Sequence, residues 1–207
     1  KDCIIVDDII DSGGTIVNAV EALIKKGARD VYVFVTHAVL SGDAINKIKQ
    51  QLELFTEEKS DDATDLEALK AALDANKMPA PDAIVLDAPC TGLGTLRRNP
   101  ELRSKNRADM RELVSLQSAL LDTAASLLPV GGELTYSVCT PTFEEGRGQI
   151  REFLSRHPHY SLVPIEAESL SPYVSDDPEL GEASVLETWT HRHGCDSFFA
   201  AKVRRSK

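Results

Sequence analysis

Short apolar runs of strand length alternate with stretches of helical periodicity along most of the chain. The first three predict a strand, a helix that ends at a glycine and a second strand, at Cys3–Asp7, Gly14–Lys26 and Val31–Thr36. Elements in this order predict a parallel pair of strands joined by a right-handed crossover. Two more buried strands are predicted at Ala83–Asp87 and Glu133–Val138. Further helices are predicted at Asp43–Leu52, Asp65–Asn76, Arg107–Leu128 and Phe143–Arg156.

The C-terminal part of the chain is rich in strand patterns. They are predicted at Ser161–Ile165, Ser184–Trp189 and Ser197–Val203, with a turn at His193-Gly194 that makes an antiparallel hairpin. Together the patterns predict an α/β fold, a Rossmann-like three-layer α/β/α arrangement whose mostly parallel sheet carries an antiparallel C-terminal hairpin. Such sheets bind ligands beyond the carboxyl ends of their strands. Chemistry is therefore expected in the loops that follow Asp7, Thr36, Asp87 and Val138.

The composition is that of an ordinary globular protein, with 207 residues of which 42% are hydrophobic. A chain of this length can bury one large core, so we expect a single domain over residues 1–207. No apolar run reaches the roughly 18 residues of a membrane span. The chain starts at Lys1 without a leader, so we expect a cytoplasmic location and no membrane partner. The four cysteines are far apart and lack metal spacing, which predicts free thiols and no metal site.

Charge is distributed unevenly. Of the formal net charge of -10, residues 1–96 carry -8 (9 basic and 17 acidic) and residues 97–207 carry -2 (14 basic and 16 acidic). Between Arg97 and Arg111, six basic residues stand against two acidic ones. This segment can bind RNA phosphates weakly, although the whole chain cannot attract RNA from afar, and no DNA partner is expected. The alternative interpretation is a solvated loop and first helical turn.

A first candidate site lies in Ile4–Thr15, which reads IIVDDIIDSGGT. The loop Ser12-Gly13-Gly14-Thr15 can turn backbone N–H groups toward a phosphate at a helix N-terminus. Asp7 and Asp8 can accept hydrogen bonds from sugar hydroxyls or hold a Mg²⁺-bound pyrophosphate. A strand-to-helix connector with acidic caps explains the same residues, and both interpretations stay open.

Asp7–Thr15, together with the later THAVLSG, closely resembles the C-terminal part of ribose-phosphate pyrophosphokinase (PRPP synthetase), which has a type I phosphoribosyltransferase fold. The resemblance covers about residues 1–50. It implies that Asp7 and Asp8 contact ribose and that Asp11, Ser12, Gly13, Gly14 and Thr15 cradle the phosphate of ribose 5-phosphate. The family's ATP-binding segments lie upstream of this stretch, so we expect a sugar-phosphate pocket at most and no synthetase activity.

A second candidate site lies at two cysteines, each of which follows a predicted strand. Cys90 follows AIVLD and Cys139 follows ELTYSV, which brings both to the ligand-binding edge of the sheet. Taken alone, each cysteine is more often a small buried hydrophobe. Their surroundings, DAPCTGLGTLRRNPEL and LTYSVCTPTFEEG, with THRHGCDSFFAAKVRR later, resemble the RNA 5-methylcytosine methyltransferases of the Sun/fmu rRNA family. This resemblance covers about residues 60–207.

The methyltransferase resemblance implies a covalent mechanism. Cys139 is the thiolate that attacks carbon 6 of cytosine, and Cys90 assists product release. Asp87 holds or protonates the ring nitrogen. Arg97 and Arg98 are expected to hold phosphates of an RNA whose target base is splayed from its stack.

The cofactor site implied by that family is incomplete in this sequence. The family binds S-adenosylmethionine (SAM) through a glycine-rich loop after the first strand, where this chain has DSGGT, and through a carboxylate after the second, where it has Thr36-His37. Asp62 and Asp87 remain as candidate cofactor contacts. The chain also has Gly146 where the family usually has Asn, and Ser197 where it usually has Gly.

These observations predict a chimera. A PRPP-synthetase-like βαβ unit (residues 1–50) is joined through a seam (51–60) to a methyltransferase-like part (61–207), with little or no methyl transfer expected. The absent initial Met and the clean boundary favour engineering over natural fusion. The alternatives are a residual SAM-dependent rRNA cytosine-C5 methyltransferase, a ribose 5-phosphate binding module and a structural chimera without a ligand. The oligomeric state is left open.

Overall fold

Eight strands and four α-helices form the regular structure of the described residues. The computed structural model describes residues 1–10, 14–38, 80–104, 107–166 and 168–207. The strands are β1 Asp2–Ile10, β2 Asp30–Ala38, β3 Ala83–Asp87, β4 Glu133–Val138, β5 Tyr160–Leu162, β6 Val174–Asp177, β7 Gly181–Thr188 and β8 Phe198–Arg205. The helices are α1 Gly14–Lys25, α2 Arg107–Leu127, α3 Arg147–Arg156 and α4 Thr190–His193. Short 3₁₀ turns are Leu93–Thr95, Pro100–Ser104 and Glu168–Tyr173. The helices predicted at Asp43–Leu52 and Asp65–Asn76 lie outside the described residues.

The strands form one mixed sheet in the order β2-β1-β3-β4-β8-β7-β6, and β5 also pairs with β8. β1 is parallel to both β2 and β3, and β3 is parallel to β4. β8 runs antiparallel to β4 and β7. The predicted α/β fold, with a parallel part and an antiparallel C-terminal hairpin, is confirmed. The assignment of one domain to the whole chain stays a prediction.

Helices cover both faces of the parallel part. Because successive side chains of a strand point to opposite faces, Ile4 and Ile5 of β1 enter different clusters. Ile4 packs in the main core with Leu121 of α2, whereas Ile5 packs with Ile16 and other apolar residues of α1. The result is the three-layer arrangement that the sequence predicts.

The described structure differs from the predicted elements at two informative places. Helix α3 starts at Arg147, not at Phe143, because residues 143–146 form turns and the N-cap residue Gly146 has non-helical dihedral angles of φ -102° and ψ -102°. Strand β6 was not predicted from the sequence, because its residues, VSDD, contain no apolar run. It pairs with β7 and places Asp177 in the interior.

None of the helices in the described part of the chain is long and apolar enough to cross a membrane.

Candidate active site

Cys90 and Cys139 face each other beyond the carboxyl ends of two neighbouring strands. Asp87 of β3 lies in register with Ser137 of β4, and the cysteines follow three and two residues later. Their sulfur atoms are 3.4 Å apart, and both are half-buried free thiols. The sheet thus brings together two thiols separated by 49 positions in the sequence.

The environment of Cys90 keeps its thiol protonated. Its hydrogen bond with Cys139, together with burial and nearby negative charge, raises the pKa of Cys90 far above its usual value. At neutral pH, Cys90 is therefore an S–H group in hydrogen-bond contact with the Cys139 sulfur, and either sulfur can be the donor.

Carboxylates lie at the same edge of the sheet. Asp87 is the last residue of β3, is half-buried, and accepts a hydrogen bond from the Ser137 hydroxyl at 2.9 Å. Asp7 is also half-buried and directly follows Val6, the register partner of Leu86. Asp7 and Asp87 therefore occupy adjacent strands just before the site.

A glycine fixes the backbone around Cys139. The Gly94 N–H donates to the Cys139 carbonyl at 3.0 Å, and the Ser197 N–H donates to the Gly94 carbonyl at 3.0 Å. A Cβ atom on Gly94 would lie 2.0 Å from the Ser197 carbonyl oxygen and 2.7 Å from the Cys139 carbonyl oxygen. Only glycine fits between these two segments, so the TGLG sequence after Cys90 has a packing role that the sequence analysis did not identify.

Glu145 is the functional candidate that sequence reasoning missed. It is completely buried and its carboxylate joins the loop after Cys90 to the loop after Cys139. The sequence carries a signal for it, because threonines 91 and 140 directly follow the two cysteines and can donate to a shared acceptor. Nothing in the sequence shows which of the adjacent residues Glu144 and Glu145 would turn inward.

Arg97 and Arg98 lie on the surface beside this site. Their side chains are 60% and 65% exposed. Both approach Asp196, to which the Arg98 Nε donates at 2.7 Å, while an Arg97 Nη atom lies 3.7 Å from it. The two guanidinium groups are therefore held together by one carboxylate next to Ser197.

The first candidate site is only partly described. Strand β1 does not end at Asp7 as expected but continues to Ile10, because Ile9 and Ile10 pair with β2. Asp8 therefore belongs to the strand, Gly14 is the first residue of α1, and Thr15 is its second. Asp11, Ser12, Gly13 and the candidate cofactor residue Asp62 lie outside the described residues.

A cleft of about 310 Å³ is lined on one side by residues 140–143, which follow Cys139 in the sequence. Its walls include the rings of Phe143, Trp189 and Phe198, and hydroxyl-bearing Thr140 and Thr142 also line it. The cleft is thus lined by aromatic rings and by hydroxyl groups.

In the part of the chain that the structure describes, no group of three His, Cys, Asp or Glu side chains can hold a metal ion.

Comparison with known families agrees with this arrangement. The family model of the 16S rRNA methyltransferases RsmB/F matches residues 43–204, well over half of the chain. The chain belongs to the RsmB/F methyltransferase family. Ribosomal RNA small subunit methyltransferase B of Thermus thermophilus is 43% identical to this RsmB/F chain over 129 residues, which are 59% of the chain and 29% of the relative. Methyltransferase F of Cronobacter sakazakii is 36% identical over 126 residues, 60% of the chain and 26% of the relative.

Solved structures place the whole RsmB/F chain on one fold. PH0851 is 28% identical with a TM-score of 0.74 and is matched over 98% of this chain and 42% of its own. NSun6 from Pyrococcus horikoshii with SFG is 21% identical with a TM-score of 0.62, and the match covers 99% of this chain and 48% of that protein. At this low identity the match supports a shared fold and nothing more. This RsmB/F chain spans less than a third of the length of its curated relatives.

A second family model matches the beginning of the RsmB/F chain. The phosphoribosyl synthetase-associated domain matches residues 1–56, so the two matches overlap at residues 43–56. The resemblance of the first βαβ unit to PRPP synthetase is therefore supported, while an engineered origin stays a prediction.

Proposed function

We propose that this chain carries the thiol half of a SAM-dependent RNA cytosine-5 methyltransferase site, and that its PRPP-synthetase-like first unit leaves little or no methyl transfer. The observation that carries the proposal is the 3.4 Å approach of the Cys90 and Cys139 sulfur atoms, with Asp87 at the end of the strand before Cys90. Cytosine C5 is a weak nucleophile and needs a covalent partner at carbon 6, which a thiolate provides.

In the proposed reaction Cys139 is the nucleophile. Its thiolate adds to carbon 6 of cytosine, the new S–C6 bond forms, and the C5=C6 electron pair moves toward carbon 5 while a proton reaches N3 through Asp87. Carbon 5 then takes a new substituent, which is a solvent proton or, when SAM is bound, a methyl group. Loss of the original C5 proton to solvent, with the N3 proton returned through Asp87, then re-forms C5=C6 and breaks the S–C6 bond. Bound SAM supplies the methyl group that replaces the hydrogen on carbon 5.

Cys90 acts in the release step. Because its thiol stays protonated and lies 3.4 Å from the Cys139 sulfur, its S–H stabilises the thiolate that leaves carbon 6. A departing thiolate with a hydrogen-bond donor beside it is a better leaving group.

The cleft lined by residues 140–143 suits a splayed base. Aromatic rings on its walls can stack on a nucleobase, and threonine hydroxyls can meet its polar edge. The arginines beside Ser197 lie near enough to the Gly94–Cys139 contact to hold RNA phosphates close to the site.

The described residues fit one end of SAM. Asp7 and Asp87 would accept hydrogen bonds from its ammonium group or ribose hydroxyls, since both carboxylates lie at the edge of the sheet. The negative charge of these two aspartates is compatible with the positive sulfonium of SAM, but it repels the SAM carboxylate. We therefore propose weak cofactor binding, with Asp62 as a further contact.

Hydrogen exchange at cytosine C5 tests thiol addition separately from methyl transfer. In D₂O without SAM, the wild type should exchange the C5 hydrogen of a cytosine-containing rRNA fragment, as measured by mass spectrometry. Cys139→Ser should abolish the exchange, and Cys90→Ala should slow it. Absence of exchange in the wild type would refute the proposal, as would full methyl transfer at saturating SAM.

A melting experiment tests the cofactor half. At a millimolar concentration close to its Kd, SAM should raise the Tm by only about 1 °C. A large shift would show that the cofactor site is intact.

A second candidate function, ribose 5-phosphate binding, is favoured by the match of residues 1–56 to the phosphoribosyl synthetase-associated domain. It requires that ribose 5-phosphate raises the Tm and that Asp8→Ala removes the effect. If ribose 5-phosphate, like SAM, leaves the Tm unchanged, ribose 5-phosphate binding is excluded.

The wider setting of the reaction is also a proposal. An rRNA target is proposed because the family name specifies 16S rRNA, and a cytoplasmic location is proposed with it. The chain spans only part of the length of its relatives.

A further inference from the structure

One buried carboxylate collects hydrogen bonds from both cysteine loops. Glu145 has no exposed surface. Its Oε1 accepts from the Thr91 N–H at 2.8 Å and from Gln117 Nε2 at 3.1 Å. Its Oε2 accepts from the hydroxyls of Thr91, Thr142 and Thr140 at 2.6, 2.8 and 3.2 Å. Both oxygens of this buried carboxylate therefore have hydrogen-bond donors, as a buried polar group requires.

The partners of Glu145 lie next to the two thiols. Thr91 follows Cys90 directly, and Thr140 follows Cys139 directly. Their hydroxyl oxygens are 3.1 Å apart, and both threonines are buried. The carboxylate therefore connects the two segments one residue beyond the sulfur atoms.

The carboxylate is itself held in place from two sides. The Tyr136 hydroxyl in β4 donates to the Glu145 backbone carbonyl at 2.7 Å. Gln117 of α2, which donates to Glu145, also donates to the Pro89 carbonyl at 2.8 Å. Helix, strand and both loops thus form one network around the Glu145 carboxylate, and this network is buried except at the half-buried Pro89 and Thr142.

We propose that Glu145 is a positioning residue that sets the separation of the Cys90 and Cys139 sulfur atoms. Glu145 bonds to the threonines that follow the two thiols, so we assign it a positioning role and not a catalytic one. The inference deepens the proposed function, because thiol addition by Cys139 with assistance from Cys90 requires the two sulfurs to stay in contact.

The chemistry of the two oxygens predicts how substitutions behave. Oε1 faces N–H groups, which can only donate, so any replacement must offer an acceptor there. Oε2 faces hydroxyls, which can reverse and accept from an amide. Glu145→Gln should therefore keep most of the network, whereas Glu145→Ala leaves buried donors unpaired.

A trivalent arsenical, phenylarsine oxide, tests the thiol separation without any RNA or cofactor. It binds tightly only where two sulfurs can close one ring on arsenic, so Cys90→Ala should abolish tight binding. The wild type should bind one equivalent. Glu145→Ala should weaken binding about tenfold or more, and Glu145→Gln by less than about threefold. Glu144→Ala, a change at the exposed neighbour, should bind like the wild type.

Wild-type arsenical affinity in folded Glu145→Ala would overturn the inference. If that variant does not fold, Glu145→Asp decides, because it keeps the charge but withdraws the oxygens by one methylene. Unchanged affinity in Glu145→Asp would then count against a positioning role. Failure of the proposed function gives a different result: the wild type would capture the arsenical but show no C5 hydrogen exchange.

Discussion

A pair of sulfur atoms 3.4 Å apart makes each cysteine part of the other's environment. The hydrogen bond to Cys139 is the largest cause of the raised pKa of Cys90, followed by burial. The sulfur contact and the burial both follow from the position of the two cysteines beyond the ends of β3 and β4. The roles proposed for them, Cys139 as the nucleophile and Cys90 as the protonated donor, depend on this arrangement.

Replacing Cys139 should make Cys90 easier to ionise. In Cys139→Ala the main cause of the raised pKa is lost and burial remains, so the pKa of Cys90 should fall while staying above its ordinary value of 9.0. A group whose pKa falls is ionised at lower pH, so the midpoint of Cys90 alkylation by iodoacetamide should move to lower pH. Peptide mass spectrometry measures this midpoint pH. A change in the accessibility of Cys90 alone would not move it.

Cys3→Ala is the matched control for that experiment. Cys3 is also a buried free thiol, and its removal should leave the Cys90 profile unchanged. An identical midpoint in Cys139→Ala and the wild type would show that the sulfur contact does not govern Cys90.

Among the elements, α3 is attached to the β6–β7 strands by ion pairs. Arg147 donates to Asp177 at 2.5 Å and forms two bonds of 2.8 Å to Glu187. Arg151 donates to the same Asp177 at 2.9 Å. Burial opposes ionisation of Asp177, but the bonds from Arg147, from backbone N–H groups and from Arg151 outweigh it and hold its pKa well below the usual range. A side chain that is 1% exposed stays charged.

Breaking this attachment should destabilise the fold in a pH-dependent way. Asp177→Asn removes a buried carboxylate that two half-buried arginines share, and it should lower the free energy of unfolding by about 3 kcal/mol at pH 7. Because the folded pKa is depressed, the contribution of Asp177 is complete above the unfolded pKa of about 3.9 and is lost as pH falls below it. Urea unfolding at pH 7 and pH 3 should therefore show a smaller difference between variant and wild type at pH 3.

Asp176→Asn provides the comparison, since Asp176 is the exposed neighbour in the same strand. It should change stability by less than about 0.5 kcal/mol. Equal losses at the two positions, or a difference that grows at acid pH, would contradict the explanation from buried ion pairs.

The elements that could be predicted from the sequence are those whose residue pattern lies within the element and the turns beside it. Strands β3 and β4 have the predicted bounds, because each is a short apolar run between turn residues. Strand β6 could not be found in this way, since its stability comes from Asp177 bonding to arginines 26 and 30 positions away. The same holds at the site: strand ends bring the two cysteines together, but the inward turn of Glu145 depends on hydroxyls from a distant loop.

For the whole molecule, the balance of charge sets how RNA can bind. A net charge of -10 repels a polyanion at long range, so the proposed RNA binding would depend on short-range contacts with the arginines near the site. Asp196 competes with phosphate for both Arg97 and Arg98. The exposed pairing is worth about 0–1 kcal/mol, so a phosphate can displace it.

Removing this competitor should strengthen RNA binding. Asp196→Asn frees two exposed guanidinium groups and should raise the affinity for a single-stranded rRNA fragment by up to about fivefold. Each additional phosphate contact should steepen the dependence of log K on log salt by about 0.7. Fluorescence anisotropy at several salt concentrations measures both quantities. Glu152→Gln removes the same charge at an exposed position of α3, where Arg156 keeps its ion pair with Asp122. This variant therefore separates the effect of local contact from that of net charge. If both variants gain equally, the whole-molecule charge dominates and Arg97 and Arg98 do not contact the RNA.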